Sequence, residues 1–527
     1  MSRAPSGRAD LLVVGAGPAG SLVAREVAAA GHDVVVLDAG PRFDDEDRTE
    51  RMAAHLRPDE GSPWPRDPER DGYTTGGRPY PLAASRVKGV GGSTLAWHGM
   101  APRLRERDFE LRSRHGVAVD WPLSYADLRP WYARAERALG VAGAADGAEG
   151  PPREAPYPMP AFPPSASDRI LAEGAASVGL STRTAPNARN SEPYDGDSPC
   201  VGYGTCRPVC PSGAKYTAER TVAAAEAAGA RVVDRAPVRR LRVDGDRVTG
   251  ARYTTPGGDH VQAAREVVLA AGGVETPRLL LLSATADHPD GLANSSGAVG
   301  RYFHDHLFAG VGGRVDRETR QHHVGFHTTE SHAVYDEADP VVGIKLEFLN
   351  DAGPTPVGVA LSDGSWGDEL ADRVREAYGG HLAVGALVEQ LPDPSNRVRL
   401  DPETVDDTGD PVPRIEWSLD DRTRRGIERA NDLQRRVLEA VGADLTWTVD
   451  AETAGPAAHQ MGTTRMGTDP TESVVGPDCR AHDSRNLWVA GSSVFPTGGA
   501  MNPTLTIAAL ALRLGSRLAD RLSGERE

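Results

Sequence analysis

Three glycines near the N-terminus have a spacing that suits phosphate binding. Gly15, Gly17 and Gly20 follow an apolar run at residues 11–14 and precede a helical stretch at residues 21–30. In such a strand, turn and helix, they permit a tight turn, close approach to a pyrophosphate and close packing of helix on strand. Asp38 ends the next apolar run, where an acidic side chain holds a ribose hydroxyl. We therefore expect a dinucleotide site, and this pattern alone leaves nicotinamide and flavin both open.

A second candidate reacting group lies near the C-terminus, in the segment GSSVFPTGGAMNPTLTIAALAL. Asn502 and Pro503 stand where this run of small residues turns into an apolar helix. Asparagine is a preferred helix cap and proline a preferred first helical residue, so a purely structural role is possible. At this level the chemistry of the Asn502 side chain stays open.

Three of the four cysteines fall in the segment CVGYGTCRPVC, at Cys200, Cys206 and Cys210. Their C-x5-C-x3-C spacing differs from the ferredoxin pattern, which places cysteines two or three residues apart and uses four of them. The segment is therefore expected to be a thiol-containing loop beside the cofactor. Four cysteines in so long a chain do not make a disulfide scaffold.

Several histidines and one glutamate are weighed as ligands and assigned structural roles. His304, Asp305 and His306 are sequence neighbours that point in different directions, so no metal site is predicted and they are expected to line a domain junction. Glu389 is expected on an edge strand. A polar loop holds four histidines for which a mobile lid and a solvated segment are both open, and solvated side chains are expected: His322, His323, His327 and His332.

The order of the expected strands and helices that carry these residues predicts an α/β fold. It has a discontinuous Rossmann-like domain and a second, sheet-rich α+β domain for the substrate. The first 40 residues show a βαβ pattern, residues 237–253 a hairpin turning at Asp244 and Gly245, and residues 265–283 a strand followed by a helix from Pro277. Strand-like runs and one amphipathic helix fill residues 301–450. Expected boundaries are 1–155, 201–300 and 454–527 for the cofactor domain, 156–200 for a linker or excursion, and 301–453 for the substrate domain.

Composition limits the partners. The chain has 527 residues and a formal net charge of −16, which disfavours nucleic acid and anionic membrane surfaces. Its N-terminus has no apolar signal core and no twin-arginine pair, so a cytoplasmic location is expected. Oligomeric state is not indicated.

Four separated stretches together resemble the glucose-methanol-choline (GMC) oxidoreductase family, which binds FAD. VVGAGPAGSLVAREVAAAGHDVVVLDAG resembles its ADP-binding unit, RVKGVGGSTLAWHG its flavin-contacting loop and GGVETPRLLLLS its second signature. AHQMGTTRMG and the C-terminal segment quoted above resemble its active-site segments. Within the family, the pyranose oxidase, glycoside 3-oxidase and gluconate 2-dehydrogenase branch is the most similar.

Two departures from the family pattern bear on flavin attachment. Pyranose oxidases attach FAD covalently through a histidine, and this chain has Ala96 followed by Trp97 at that place, with His98 offset by two. The resemblance therefore implies non-covalent FAD. Many relatives also have an aspartate where this chain has Gly491, so backbone groups are expected to hold the ribityl chain. The implied FAD contacts are Gly15, Gly17, Pro18, Ala19, Gly20, Asp38, Ala39, Arg86, Gly91, Gly92, Ser93, Thr94, Ala96, Trp97, Val238, Ala271, Gly491, Ser492, Asn502, Pro503 and Thr504.

The resemblance also implies the catalytic pair. Alcohol oxidation requires a base for the hydroxyl proton while FAD accepts the hydride at N5, and histidine suits the base because its pKa lies near neutrality. His459 of AHQMGTTRMG matches the family's catalytic histidine, and Asn502 matches the partner that holds the substrate hydroxyl. A histidine satisfied by core hydrogen bonds is the structural alternative for His459.

The expected reaction is oxidation of a secondary hydroxyl, at C3 or C2, of a pyranose sugar or an O- or C-glycoside to a ketone. The electron acceptor is expected to be oxygen, a quinone or a redox protein. Two alternatives stay open: a gluconate-type sugar-acid or alcohol dehydrogenase subunit that passes electrons to a cytochrome or quinone, and an electron-transfer flavoprotein without alcohol chemistry.

Overall fold

The structure, a computed structural model, describes residues 7–43, 47–55, 63–64, 66–144, 150–207, 209–337, 341–362 and 364–524. The strands are β1 Arg8–Val14, β2 Val34–Leu37, β3 Thr74–Gly77, β4 Val141–Gly143, β5 Met159–Pro160, β6 Arg183–Thr184, β7 Asn187–Ala188, β8 Arg231–Val233, β9 Val238–Asp244, β10 Arg247–Thr255, β11 Gly258–Leu269, β12 Leu307–Arg314, β13 Thr329–Ser331, β14 Ile344–Phe348, β15 His381–Val388, β16 Arg397–Val405, β17 Pro411–Trp417, β18 Asp444–Val449, β19 Gly455–Pro456 and β20 Leu487–Val489.

The helices are α1 Pro18–Ala29, α2 Arg48–His55, α3 Leu82–Ser85, α4 Leu111–His115, α5 Tyr125–Leu139, α6 Ala166–Ser177, α7 Ala218–Ala227, α8 Gly272–Leu282, α9 Pro356–Leu361, α10 Gly367–Ala377, α11 Asp421–Ala440 and α12 Thr504–Gly524. Short 3-10 turns occur at Gly92–Leu95, Glu106–Phe109 and Ser492–Val494. Among the residues described, no helix combines the length and apolar character needed to cross a bilayer.

The first sheet is assembled from three separated parts of the chain, residues 8–37, 231–269 and 487–489. Its strands lie in the order β8, β2, β1, β11, β10, β9, and β20 pairs in parallel with β11. The pairs β8–β2, β2–β1 and β1–β11 are parallel, whereas the hairpin β9–β10, predicted from its turn, joins β11 through an antiparallel pairing with β10. α1, α5, α7 and α12 pack as one layer, with α1 against α12 and α7. This is the predicted discontinuous α/β arrangement.

The second sheet lies within the middle of the chain. Its order is β18, β12, β15, β14, β13, β6, and all of its pairings are antiparallel. α11 packs on β12 and β15 and buries Ala430, Leu433 and Val437, the apolar face visible in the sequence. The result is the predicted sheet-rich second unit, with one long amphipathic helix on its face.

Two helices begin earlier than the sequence predicts. α1 begins at Pro18, where proline suits the first helical position, three residues before the predicted start. α8 begins at Gly272, so the prediction of a start at Pro277 is wrong, and Pro277 lies inside the helix. Pro277 has no N–H for the carbonyl four residues back, at Gly273, but the Thr463 hydroxyl donates to that carbonyl at 2.7 Å. A distant side chain therefore satisfies the group that the proline leaves free.

Candidate active site

A cavity of about 710 Å³ opens at the carboxyl ends of β1, β2 and β11. Val14, Leu37 and Ala270, at or just beyond those strand ends, line it, which is where open parallel sheets bind ligands. Gln460 and Ile507 belong to two further lining segments from the C-terminal part of the chain. All predicted cofactor contacts except Gly20 and Gly91 line this cavity, and so does His459.

The glycine-rich turn has contacts that only glycine allows. Gly15 has φ +105°, and a Cβ there would lie 2.6 Å from the carbonyl oxygen of Ala270. A Cβ on Gly20 would lie 1.9 Å from the Gly15 carbonyl oxygen, so Gly20 packs the helix onto the turn instead of lining the cavity. Gly17 faces Gly92 across the cavity wall, and a Cβ on Gly92 would lie 3.0 Å from the Gly17 Cα. This leaves an open cradle at the N-terminus of α1, where anions bind.

Asp38 closes the turn from the second strand. Its carboxylate accepts the Ala16 N–H at 2.8 Å and the Gly40 N–H at 2.9 Å. Burial raises its pKa, while these two backbone donors act in the opposite direction. Each carboxylate oxygen has a second lone pair, so Asp38 can hold the loop and still accept a ribose hydroxyl. The geometry fits the dinucleotide reading of the motif.

The loop around Gly91 is anchored on both sides. The Gly91 N–H donates to the Ala16 carbonyl at 3.0 Å, which ties the loop to the glycine-rich turn. Lys215, which is fully buried, donates through Nζ to the carbonyls of Leu95 at 3.3 Å and Trp97 at 2.7 Å. The same ammonium donates to the Cys206 carbonyl at 2.9 Å. The cysteine segment therefore supports the loop that carries Ala96 and Trp97.

The thiols have partners within this region. Cys206 Sγ accepts from Arg189 at 2.9 Å, and Cys210 Sγ accepts the Lys215 N–H at 3.5 Å. Cys206 and Cys210 are buried, and Cys200 is half-buried. Across the described residues, no group of three or more His, Cys, Asp or Glu side chains is arranged to hold a metal ion.

His459 lies on the cavity wall with its backbone and its ring both held. Its N–H donates to the two Asp305 carboxylate oxygens, at 2.9 Å each, and its Nδ1 lies 2.9 Å from the Nδ1 of His306. Burial lowers the pKa of His459 to about 3; Glu347 opposes this shift, and Lys345 adds to it. His459 is therefore a neutral imidazole at physiological pH, the form that can accept a proton.

Asn502 lies on the same cavity and is held by a buried lysine. Lys345 Nζ, on β14, donates to Asn502 Oδ1 at 2.6 Å, and its side chain is fully buried. An ammonium can only donate, so the amide oxygen is the acceptor and the amide NH2 is the group left to face other partners. Asn502 can therefore present a hydrogen-bond donor to a ligand in the cavity. α12 begins two residues later, at Thr504.

Behind Asn502 lies a buried cluster of charged groups that the sequence did not predict. Glu347 lies 2.8 Å from Lys345 and 3.5 Å from His327, and Glu330 lies 3.0 Å from His332. Burial alone would raise the pKa of Glu330, but His332 and Lys345 hold it below its ordinary value. The ammonium that holds Asn502 is thus balanced by two carboxylates.

Burial corrects two expectations from the sequence. His327 and His332 are 4% and 7% exposed, so the prediction of a solvated histidine loop is wrong for them, whereas His323 is exposed. Their sequence neighbours are polar and gave no indication of this burial. It depends on carboxylate partners that β13 and β14 supply. Glu389 is not an edge-strand carboxylate: it is fully buried beyond the end of β15 and accepts the Gly343 N–H at 2.8 Å.

His304, Asp305 and His306 are also buried, just before β12. The sequence did not indicate that His306 and Lys345 are neighbours of the catalytic candidates. One signal could have drawn attention to Lys345: lysine occurs only three times in the chain, at Lys88, Lys215 and Lys345. All three side chains are largely inside the protein, with Lys88 the most accessible at 12%.

The family models for GMC oxidoreductase match residues 9–308 and 392–511. The fructose dehydrogenase large subunit of Gluconobacter japonicus is 32% identical over 98% of both chains. A C-glycoside 3-oxidase of Microbacterium trichothecenolyticum is 26% identical over 98% of this chain and 97% of the relative. The crystal structure of pyridoxine 4-oxidase from Mesorbium loti superimposes with a TM-score of 0.66 at 20% identity, covering 97% of this chain and 99% of that one.

Proposed function

Since the chain belongs to the GMC oxidoreductase family and is an FAD enzyme acting on CH–OH groups, we propose that it oxidises a secondary hydroxyl of a pyranose sugar or glycoside. The product is the corresponding ketone, with C3 favoured over C2. The observation that carries the proposal is that His459 and Asn502 line the same cavity as the dinucleotide cradle.

FAD fits the groups that are present. Gly15, Gly17 and the N-terminus of α1 would receive the pyrophosphate, and Asp38 the ribose of the adenosine half. The loop with Ala96 and Trp97 would contact the flavin half, beside Gly491 and Ser492. We propose non-covalent attachment, because neither Ala96 nor Trp97 offers a nucleophile at the place where related oxidases have a histidine.

When bound, FAD supplies a two-electron acceptor for the hydrogen that leaves the substrate carbon. The neutral imidazole of His459 accepts the hydroxyl proton, a step that typically contributes roughly 10²- to 10⁴-fold. The Asn502 amide donates to the substrate oxygen, because Lys345 occupies its carbonyl oxygen. One side chain removes the proton while the other stabilises the charge that develops on oxygen.

The names of two relatives support the sugar assignment. Fructose dehydrogenase and C-glycoside 3-oxidase, both similar to this chain over almost their whole length, are named for sugar or glycoside substrates. We place the substrate against residues 301–453, the proposed substrate domain, because this part of the chain supplies Lys345 and its cluster. Oxygen, a quinone or a redox protein would then accept the electrons.

A second candidate is a dehydrogenase subunit that passes its electrons to a cytochrome or quinone. The observation in its favour is the 32% identity to a protein named as a large subunit. In that case the reduced flavin would react slowly with oxygen, and a quinone analogue or cytochrome would reoxidise it quickly.

Anaerobic mixing of the purified protein with a panel of sugars and glycosides tests the proposal. A pyranose or glycoside should bleach the flavin absorbance, and His459→Ala should abolish this without loss of FAD. His323→Ala, at an exposed histidine, is the matched control and should leave bleaching unchanged. Acid denaturation should release FAD into the supernatant. No bleaching by any sugar, with FAD bound, would refute the substrate assignment. Mixing the reduced protein with oxygen, and separately with a quinone analogue or a cytochrome, then identifies the electron acceptor.

A further inference from the structure

The adjacent residues Asp305 and His306 both contact His459, although they stand more than 150 positions earlier in the chain. Backbone pairing between the two segments brings these residues together. His304 and Met461 form an antiparallel bridge, and the Ala457 N–H donates to the His306 carbonyl at 2.8 Å. The segment before β12 therefore runs beside residues 457–461. This ladder puts the His306 ring across from the His459 ring, with centroids 5.0 Å apart.

The partners of His306 determine where its single proton lies. Its Nε2 is 3.3 Å from the Gly498 carbonyl oxygen, which can only accept, so Nε2 carries the hydrogen. Burial and the neighbouring His459 hold the pKa of His306 well below its ordinary value, so the ring is neutral and its Nδ1 is a lone pair. The reverse tautomer would set a lone pair against the carbonyl oxygen.

The proton in the contact between the two rings must then belong to His459. The two Nδ1 atoms are 2.9 Å apart, a hydrogen-bond distance, and His306 has no proton to give at that atom. His459 therefore carries its proton on Nδ1, and its Nε2 is left as an unprotonated base. Asp305 completes the arrangement: it fixes the His459 backbone, and Tyr80, which is buried, donates its hydroxyl to Asp305 Oδ2 at 2.5 Å.

We propose that His306 is a positioning residue that sets the tautomer of His459, so that Nε2 is the atom that accepts the substrate proton. This inference rests on the proposed function for its catalytic meaning, whereas the tautomer itself does not depend on any substrate. His306 touches neither substrate nor cofactor in this role. It acts through the ring of His459, and Gly498, on the loop that leads to Asn502, fixes His306 in turn.

The chain offers a matched pair of substitutions at this position. His306→Gln keeps both functions, because a glutamine amide can donate to the Gly498 carbonyl and accept from His459 Nδ1. His306→Leu has similar volume and neither function. If His306 only filled space, the two variants would behave alike. We expect His306→Leu to lower the maximal rate of anaerobic flavin reduction by about 10²-fold with little change in the substrate concentration for half-maximal rate, since a misplaced base loses most of its contribution. His306→Gln should recover most of that loss.

A direct measurement of the tautomer accompanies the kinetics. The wild-type FAD-loaded protein, labelled with ¹⁵N-histidine and deuterated elsewhere, is studied by long-range proton–nitrogen NMR, and His459→Gln identifies the His459 signals. We expect protonated Nδ1 and unprotonated Nε2 in the wild type. A proton on Nε2 in the wild type, or equal rates for His306→Leu and the wild type, would overturn the inference.

The NMR result also separates this inference from the proposed function. If no sugar reduces the flavin but His459 carries its proton on Nδ1, the substrate proposal fails and the tautomer assignment stands. If sugars reduce the flavin but Nε2 is protonated, the assignment fails and the substrate proposal stands. Should His306→Leu not fold, the wild-type spectrum still decides the question.

Discussion

Replacement of Asn502 by aspartate tests whether the amide NH2 acts on the substrate oxygen. The two side chains have the same shape, and Lys345, 2.6 Å from Oδ1, can pair with the new carboxylate as it does with the amide oxygen. What Asn502→Asp removes is the donor. Loss of one preorganised donor to a developing oxyanion typically costs about 10²- to 10³-fold in rate, or roughly 2.7–4 kcal/mol. We expect a decrease of that size in the rate of flavin reduction.

The assay is anaerobic stopped-flow reduction of the flavin, with a substrate identified from the sugar panel. FAD content and thermal midpoint, measured on the same preparation, show whether the substitution leaves the holoenzyme intact, as the retained Lys345 contact predicts. The reasoning is refuted if the folded, FAD-loaded Asn502→Asp variant is reduced within about threefold of the wild-type rate, because a donor worth roughly 2.7–4 kcal/mol would then be absent. In that case Asn502 would have only its structural role at the start of α12.

The remaining predictions concern the groups around this pair. Lys345→Met combined with Glu347→Gln removes the ammonium that orients the Asn502 amide without leaving a Glu347 carboxylate unpaired. Flavin reduction should slow about 10- to 150-fold, which corresponds to a charge-assisted hydrogen bond of about 1.5–3 kcal/mol. An unchanged rate contradicts this. Because burial lowers the pKa of His459 to about 3, its imidazole stays neutral as the pH falls through 6.5. The pH profile of kcat/KM should therefore show no acid limb near pH 6.5. A limb there that disappears in His459→Gln would contradict this. Thr463→Val leaves a buried carbonyl of α8 without its donor and should lower the free energy of unfolding by about 1–3 kcal/mol in chemical denaturation, whereas Thr463→Ser should restore much of it. The Gly15→Ala variant should contain little FAD after purification, because its Cβ would lie 2.6 Å from a carbonyl oxygen. The flavin-to-protein absorbance ratio measures this, and stoichiometric FAD would contradict the assignment of the glycine-rich turn as the pyrophosphate site.

Local features were predictable wherever a residue's partners are close in sequence. The turn at residues 15–20 depends on the sterics of a strand that passes directly into a helix, so its glycine spacing is informative by itself. α5 begins after Ser124, whose hydroxyl accepts the Asp127 N–H, so the partner in this helix cap lies only three residues away. The amphipathic helix α11 was predictable because its buried apolar residues recur within a few positions of one another on one face.

Predictions were wrong where a distant group supplies a partner. Pro277 indicated a helix start, but Thr463 satisfies the carbonyl that the proline frees, and so the helix continues through it. His327 lies in a polar stretch that indicated solvation, and its burial depends on Glu347 from another strand. Neither compensation has a signal in the neighbouring sequence, because the hydrogen bond or ion pair crosses between elements.

The sequence by itself determined the α/β class, the dinucleotide turn with Asp38, and the motifs that mark the chain as a GMC oxidoreductase, since each is a short segment whose chemistry depends on its immediate neighbours. Tertiary structure alone decided which groups surround the catalytic candidates. His306 and His459 are 153 residues apart, and Lys345 and Asn502 are 157 apart. Their contacts arise from the registers of the second sheet and of the ladder beside residue 461. Burial then gives these contacts their effect, because away from water each proton and each charge must find a protein partner.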